Sequence, residues 1–546
     1  MPTLRSLSSS VSASHGEGVK VLLSGFTKCP GLFYATPAQD GILSRIRIPG
    51  GILESKQCDA IADIADQFGG GYVDVTNRAN LQIREIHQGI NAEVLQRLQD
   101  IGLGSANPAV DHIRNIMTSP TAGIDSQELI DTRPFVQKWN QYIGENPHLS
   151  GLSAKFSVCF DGGGKVSVRD RLNDITFAAV LVDSDVYFRL YLSIGDSGEL
   201  PRDMGIAIAK RCCFQQIAPE ECLPVLAALA DVYLNHIDSS NSRKPRLREV
   251  VNSLGWENYL QEVRKNLTPQ PPFLPLPNPP LRGEGKGKTF VAGKEESFSP
   301  LRFPEELGER SDFKYQHIGI HPQSQPGLFY IGVVLPLGRL ESWQMRGLAD
   351  LALKFGSGSL RLTPWQNVLL TDIPQHQVAD VESQITGLKL DSAATSIKGA
   401  LVACSGSRGC AASATDTKGH ALALTEYLEN RITLDRPVNI HFSGCVKSCA
   451  QHSQGDITLL GVSDETVEGY QVFIGDGDSN QKFGRLLYQY VTFSELPALI
   501  ERLLKAYQSQ RLNSDESFGK FCDRFQRGVA HREQRAALPI AMLSPN

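Results

Sequence analysis

The feature that most constrains this chain is an internal repeat. Residues 46–86, "IRIPGGILESKQCDAIADIADQFGGGYVDVTNRANLQIREI", align without a gap onto residues 333–373, "VVLPLGRLESWQMRGLADLALKFGSGSLRLTPWQNVLLTDI". There are 15 identities in 41 positions at a constant offset of 287. Such a repeat marks a duplicated supersecondary unit, so two homologous halves are expected to pack about a pseudo-twofold axis. Within each copy the pattern reads strand, helix, strand. "LSRIRIPGG" alternates and stops at Pro-Gly-Gly; "ESKQCDAIADIADQFG" spaces Cys58, Ile61, Ala62 and Ala65 along one helical face; "YVDVT" and "LQIREI" alternate around the turn "NRAN". The expected module is α+β, with helices on one face of an antiparallel sheet.

A second α/β stretch follows each copy. In the first half it is "DHIRNIMTSPTAGID" and then "GLSAKFSVCFDGGG"; in the second it is "GALVACSGSRGCAA" and then "VNIHFSGCVKSCAQH". The second half carries the cysteines, and the first places Arg114 and Lys155 in what read as the equivalent loops, as if one live and one dead site had a common ancestor. The resulting partition has modules at 29–105 and 316–390 and α/β halves at 106–264 and 391–508. Residues 265–315, dense in Pro, Gly and charge, read as a linker. Residues 1–28 are Ser-rich, faintly like a transit peptide but without an apolar core, and read as a disordered tail. Residues 509–546 read as a polar tail with a short basic helix around "HREQR".

The net charge of −5 argues against a nucleic-acid partner, because domains that bind nucleic acid through bulk charge are basic. No apolar run is long enough to suggest a membrane span. Eleven cysteines in 546 residues do not make a secreted disulfide framework, so a cytoplasmic setting is expected. Cys29, Cys58, Cys159, Cys212, Cys213, Cys222 and Cys522 are scattered and read as incidental thiols. Only Cys404 and Cys410 (C-x5-C) and Cys445 and Cys449 (C-x3-C) are paired by spacing.

Four thiols on two Gly- and Ser-rich loops suit an iron–sulfur cubane, which needs thiolates converging from loops with backbone N–H groups free to face the sulfurs. Small residues permit that approach. Arg408 and Lys447 put a cation in each loop, and "AASATDTKGHALALTEYL" and "AQHSQGD" each suggest a helix start whose dipole favours negative charge. A four-cysteine zinc site, a disulfide pair and four unrelated buried thiols are the alternatives, and none matches the spacing and loop composition as well.

C-x5-C followed by "SGC-x3-C" resembles the siroheme-containing sulfite and nitrite reductase superfamily, and so does the duplication. The resemblance covers residues from about 29 to about 508, excluding the Pro-rich insertion. It implies a duplicated nitrite/sulfite reductase-like architecture with two ferredoxin-like modules and two α/β halves. It further implies a 4Fe–4S cluster on Cys404, Cys410, Cys445 and Cys449, the last bridging to a siroheme iron. "DVTNRANLQIR" is similar to the family's T-x-R-x-x-x-Q segment, which makes Arg78, assisted by Arg84, a grip on macrocycle carboxylates. "IRNIM" makes Arg114 a second grip and "LSAKFS" makes Lys155 a third; Arg and Lys suit such carboxylates. Taken singly, each would be a solvated surface cation.

Ser157, two residues after Lys155, stands where sulfite reductases carry Lys and nitrite reductases Asn. Together with the opening "KCPGLFYATPAQDGILSRIRIPGG", this makes the chain resemble precorrin-3B synthases. That resemblance implies an O2-dependent monooxygenase of cobalamin biosynthesis, hydroxylating precorrin-3A with lactone formation, with electrons from an NAD(P)H-linked donor or ferredoxin. An additional non-haem iron is implied, for which His441, His452 or His420 are candidate ligands. The catalytic residue is left unassigned. A ferredoxin-dependent sulfite or nitrite reductase with siroheme is the competing expectation, and a non-catalytic cluster- or tetrapyrrole-binding protein is the third.

Overall fold

The computed structural model describes residues 31–533 apart from 33–35, 88–89, 91, 183, 195–201, 204–219, 221, 239–242, 268–314, 394, 396, 465–466 and 476–481. The expected N-terminal tail, the C-P-G element at Cys29, and nearly all of the Pro-rich linker lie outside the described residues. Among the described residues the duplication appears as four five-stranded sheets in two pairs.

The first pair belongs to the ferredoxin-like modules. One sheet runs Thr36–Ala38, Gly41–Ile46, Leu81–Ile86, Tyr72–Val75 and then Arg339–Glu341, which comes from the other module. The second runs Gly319–Pro322, Leu328–Val333, Val368–Pro374, Ser359–Leu362 and then Ile52–Glu54, which comes from the first. All pairings are antiparallel. Each copy therefore gives the strand before its helix to the sheet of the other.

The helices that follow, Ser55–Phe68 and Ser342–Phe355, begin with matching capping boxes, Glu54 with Gln57 and Glu341 with Gln344. Ser55 Oγ donates to Gly358 O across the seam, and Ser342 Oγ donates to Gly71 O on the mirror side. One apolar core runs through both modules and includes Ile61, Ala65, Leu348 and Ala352.

The second pair belongs to the α/β halves. Ile116–Thr118, Val158–Asp161 and Ile175–Val182 pair in parallel, and Asp185–Leu192 returns antiparallel. Leu401–Ala403, Ile440–Ser443, Ile457–Asp464 and Val467–Ile474 repeat this order, and Arg485–Thr492 completes the edge. The alignment of strands corrects one expectation. Cys404 and Cys445 leave the carboxyl ends of their strands, and the matching positions in the first half are Ser119 and Gly163. Arg114 and Lys155 instead precede the strands Ile116–Thr118 and Val158–Asp161, so they occupy the opposite end.

Two further expectations change. "AQHSQGD" forms an irregular loop, not a helix start. The described part of the segment from 509 is not a tail: the helix Leu496–Gln510 turns into a second helix, Phe518–Glu533, whose Phe518 and Phe521 enter the core of the cysteine-bearing half.

A buried charge cluster joins three of these units. Asp74, on Tyr72–Val75, accepts from Lys418 Nζ at 2.8 Å and from Arg339 Nε at 3.2 Å. Lys418 lies on the helix Thr417–Glu429 of the cysteine half, and Arg339 is on the exchanged strand and also stacks on Tyr72 at 3.5 Å. Burial alone would raise the Asp74 carboxyl, but the two cations outweigh it and hold it below its ordinary value. Removing one partner of a buried pair strands the others, a loss of ~3 kcal/mol or more. Asp74→Ala is accordingly expected to lower stability by about that amount in urea unfolding. The wild-type advantage over Asp74→Asn is complete above the ordinary carboxylate pKa of about 3.9 and disappears as the pH falls through the lower folded value. An unfolding midpoint unaffected by either substitution would show that the cluster does not hold the units together.

Candidate functional site

The parallel neighbours Leu401–Ala403 and Ile440–Ser443 deliver Cys404 and Cys445 to adjacent positions at the sheet end. Cys404 N donates to Phe442 O, and Gly444 N donates to the Cys404 sulfur at 3.2 Å, the kind of N–H···S contact that tunes a cluster. A side chain at Gly444 would collide with Ser413. Gly406 turns the first loop with φ +69°, in the left-handed region that favours glycine, and Cys410 N then donates to Gly406 O. The helix Thr417–Glu429 starts beside this loop; Asp416 caps it by accepting from Gly419 N, and Thr417 Oγ1 lies 3.5 Å from the Cys404 sulfur. Arg408 is turned outward and pairs with Asp416.

The other three thiols lie within electrostatic reach of Cys449. The Cys449 thiol is pushed up by partial desolvation and then by Cys445, Cys404 and Cys410. Among the described residues no three His, Cys, Asp or Glu side chains are arranged to hold a single metal ion. A cubane is broader than one ion, so its thiolates stand further apart, and the inward backbone N–H and small-residue loops fit it. The histidines offered as iron ligands have other surroundings. His420 stacks on Phe493 at 3.7 Å and bonds to the Tyr470 hydroxyl, and His441 is buried in its strand.

A cleft opens directly beyond the fourth cysteine. It is lined by Gln451 and His452, by Asn77 and Arg78 of the first module, and by Met117, Asp170 and Arg171 of the first α/β half. Asn77 Nδ2 donates to Cys449 O, so the turn expected to grip carboxylates touches the cysteine loop itself. Arg78 donates to Asn173 Oδ1 at 2.7 Å and to Leu172 O at 2.6 Å, both neutral acceptors. Burial pushes its pKa below that of an ordinary Arg. Among the described residues it forms no ion pair, and a buried cation with neutral partners is a ready seat for an anion. The cations that act on His452 are Arg78, Lys482, Arg246 and Lys155. Lys482 also donates to Val446 O and Lys447 O of the cysteine loop. Of these cations, Arg78 lines the cleft itself, and Arg246 is paired with Asp174.

The structure distributes the other sequence candidates differently. Arg84 donates to Asp40 through two nitrogens and to Gly409 O, so it clamps the Cys404–Cys410 loop to the first module and does not line the cleft. Arg114 is spent inside the fold: Nε donates to Asn140, Nη1 to Asp111 and Leu103 O, and Nη2 to Gly102 O. Lys155 is exposed, within electrostatic reach of His452. Ser157 is fully buried, and its hydroxyl donates to Asp174 Oδ2, whose other oxygen accepts from Arg246. It therefore does not face the cleft, which removes its weight in choosing between activities. Arg246 and Lys482 had no local signal in the sequence; each reaches the site from a distant element.

Cys445→Ala is expected to remove the broad thiolate-to-iron absorption and most bound iron, whereas Cys159→Ala, a buried thiol in the other half, leaves both intact. Iron analysis of the anaerobically purified variants checks this, and a Cys445→Ala protein with full iron content would displace the cluster from these residues.

Models of two families match the chain. The nitrite and sulphite reductase 4Fe-4S domain covers residues 109–270 and 396–525, and the nitrite/sulfite reductase ferredoxin-like half domain covers 36–101 and 321–387. A ferredoxin–nitrite reductase of Synechococcus elongatus is 30% identical over 484 residues, 87% of this chain and 88% of that one. A chloroplastic ferredoxin–nitrite reductase of Zea mays is 30% identical over 82% of this chain and 75% of its own. The structure of the Mycobacterium tuberculosis NirA protein superposes with a TM-score of 0.68 at 25% identity, covering 88% of this chain and 83% of that one. These findings overturn the expectation of a precorrin-3B synthase, with its O2 and precorrin-3A partners: the relatives matched over most of both chains are ferredoxin–nitrite reductases. With its duplicated ferredoxin-like modules, its cysteine constellation and its two matched halves, the chain belongs to the nitrite and sulphite reductase family and is an oxidoreductase.

Proposed function

We propose that this protein is a ferredoxin-dependent nitrite reductase that holds a 4Fe–4S cluster on Cys404, Cys410, Cys445 and Cys449 and a siroheme in the adjoining cleft. One observation carries the reading: the segment from Cys449 to His452 forms part of both the thiol constellation and the cation-lined cleft, so the two centres would be immediate neighbours. When bound, the cluster relays single electrons and the siroheme iron supplies the site at which a small anion is reduced. The residues of the chain do the rest. Arg78 exchanges neutral partners for carboxylates, Lys155 and Arg246 add charge around the rim, and Asn77 and Arg84 fix the cysteine loops to the first module.

The same cations favour entry of an anion such as nitrite, because charge of one sign lining a cleft raises the local concentration of the opposite ion. The relatives' donor, ferredoxin, fits a centre whose fourth cysteine lies at the surface.

Protein purified anaerobically is expected to carry one siroheme per chain together with iron–sulfur absorption, and to convert nitrite to ammonium with reduced ferredoxin. Absence of tetrapyrrole, or a siroheme-loaded protein inert toward nitrite, would refute the proposal; reduction of sulfite alone would reassign the substrate. Arg78→Met is expected to lose one charge-assisted contact worth ~1.5–3 kcal/mol, a roughly ten- to hundredfold weaker hold on the macrocycle, with cluster iron unchanged.

A further inference from the structure

The cleft beyond Cys449 is lined by equivalent segments of both α/β halves. The strands Val158–Asp161 and Ile175–Val182 pair in the same register as Ile440–Ser443 and Ile457–Asp464, and the loops joining them have the same length. Asp170 and Arg171 of the first half therefore match His452 and Ser453 of the second, and all four line the cleft. The repeat alignment matches the module turns in the same way, setting Arg78 of the first against Trp365 of the second. The two turns share one backbone geometry. Arg78 N and Trp365 N donate to Thr76 Oγ1 and Thr363 Oγ1, each at 3.3 Å, and the next residues, Ala79 and Gln366, have φ of +53° and +63°.

The second turn carries no cation, but a cation rests on it. The guanidinium of Arg171 lies over the Trp365 ring, 4.6 Å from its centroid, a distance at which the ring quadrupole attracts a positive charge. The indole is held through its faces: it also stacks on His317 at 4.8 Å, and its Nε1 has no hydrogen-bond partner. Burial first, then His321 and Arg171, hold the His317 pKa down to about 3, so the imidazole against the indole stays uncharged.

The fold itself asks little of Arg171. Its side chain is 12% exposed, and its Nε has no hydrogen-bond partner. Its ion partner among the described residues is Asp170, 3.6 Å away, which is longer than a hydrogen bond. Arg78 donates to Leu172 O and Asn173 Oδ1, the two residues that follow Arg171. Both copies of the turn thus close on one short segment of the cleft wall, the first through hydrogen bonds and the second through a ring.

We propose that Arg171 binds a carboxylate of the macrocycle and that Trp365 is the positioning residue that holds it at the cleft wall. The duplicated turns then serve one ligand. The first presents its own guanidinium, Arg78, and the second presents a ring that supports the guanidinium of Arg171. A guanidinium meets a carboxylate through two parallel N–H bonds, and an aromatic face fixes the plane of that fork without using its donors. This rests on the reading that a siroheme fills the cleft.

The test uses the full chain purified anaerobically with its cofactors. Loss of siroheme is followed by absorption in excess uroporphyrin, a polycarboxylate tetrapyrrole that takes the vacated cleft. Arg171→Met is expected to release siroheme roughly ten- to a hundredfold faster than wild type, with cluster iron unchanged. Trp365→Leu releases it about tenfold faster, and Trp365→Phe, which keeps an aromatic face, stays within about threefold of wild type. The double variant Arg171→Met with Trp365→Leu is no faster than Arg171→Met alone, because Trp365 acts through Arg171. Wild type and Arg171→Met holding siroheme equally well would overturn this inference alone. Losses that add in the double variant would also overturn it, since Trp365 would then act on the fold. So would a raised KM for nitrite with siroheme held as in wild type, which would move the contact to the small anion. Wild type that carries no tetrapyrrole would overturn the functional reading and this inference with it.

Discussion

The exchange of one strand between the two ferredoxin-like modules governs the rest of the molecule. Because Ile52–Glu54 completes the second sheet and Arg339–Glu341 the first, neither module can close its sheet alone. The paired helices share a core across the seam. That arrangement sets the Asn77–Arg78 turn of the first module against the cysteine loop of the second half. Two loops almost four hundred residues apart in sequence thereby become one site.

Charge is distributed accordingly. Where two cations meet one carboxylate, as at Asp74, the charges tie three units of the fold together. Around the cleft Arg78 bonds only neutral acceptors, Arg246 is paired with Asp174, and Lys155 and Lys482 act on His452 beside them. Buried cations are costly unless compensated, and under the proposed function a polyanionic macrocycle would supply that compensation. The first half shows the contrast. Ser119 and Gly163 stand where the cysteines would be, and Ser119 uses its hydroxyl to bond Val166 O within its own half.

Much of this was legible in the sequence because it depends on periodicity and spacing. The gapless repeat defined the modules, and the C-x5-C and C-x3-C loops marked the thiol constellation. What the sequence concealed depends on long-range partners. No alignment of a repeat reveals which sheet its strand will join, so the exchange was invisible. Ser157 looked like a cleft residue by its place in a motif, but Asp174, seventeen residues later, turns its hydroxyl inward. Arg114 was likewise claimed by Asp111 and Asn140, and Arg246 entered from an element with no motif at all. The helix Phe518–Glu533 is a different case: Phe518, Phe521 and Phe525 share a helical face, a pattern passed over because the surrounding residues are polar.

The central claim is that the thiol constellation and the cation-lined cleft form one continuous redox site. Anomalous diffraction at the iron edge from anaerobically grown crystals tests it most directly. The account predicts a compact group of four irons among Cys404, Cys410, Cys445 and Cys449, and a fifth iron in the adjoining cleft bordered by Arg78 and His452. Iron confined to the cysteines with none in the cleft, or iron bound elsewhere, would contradict it.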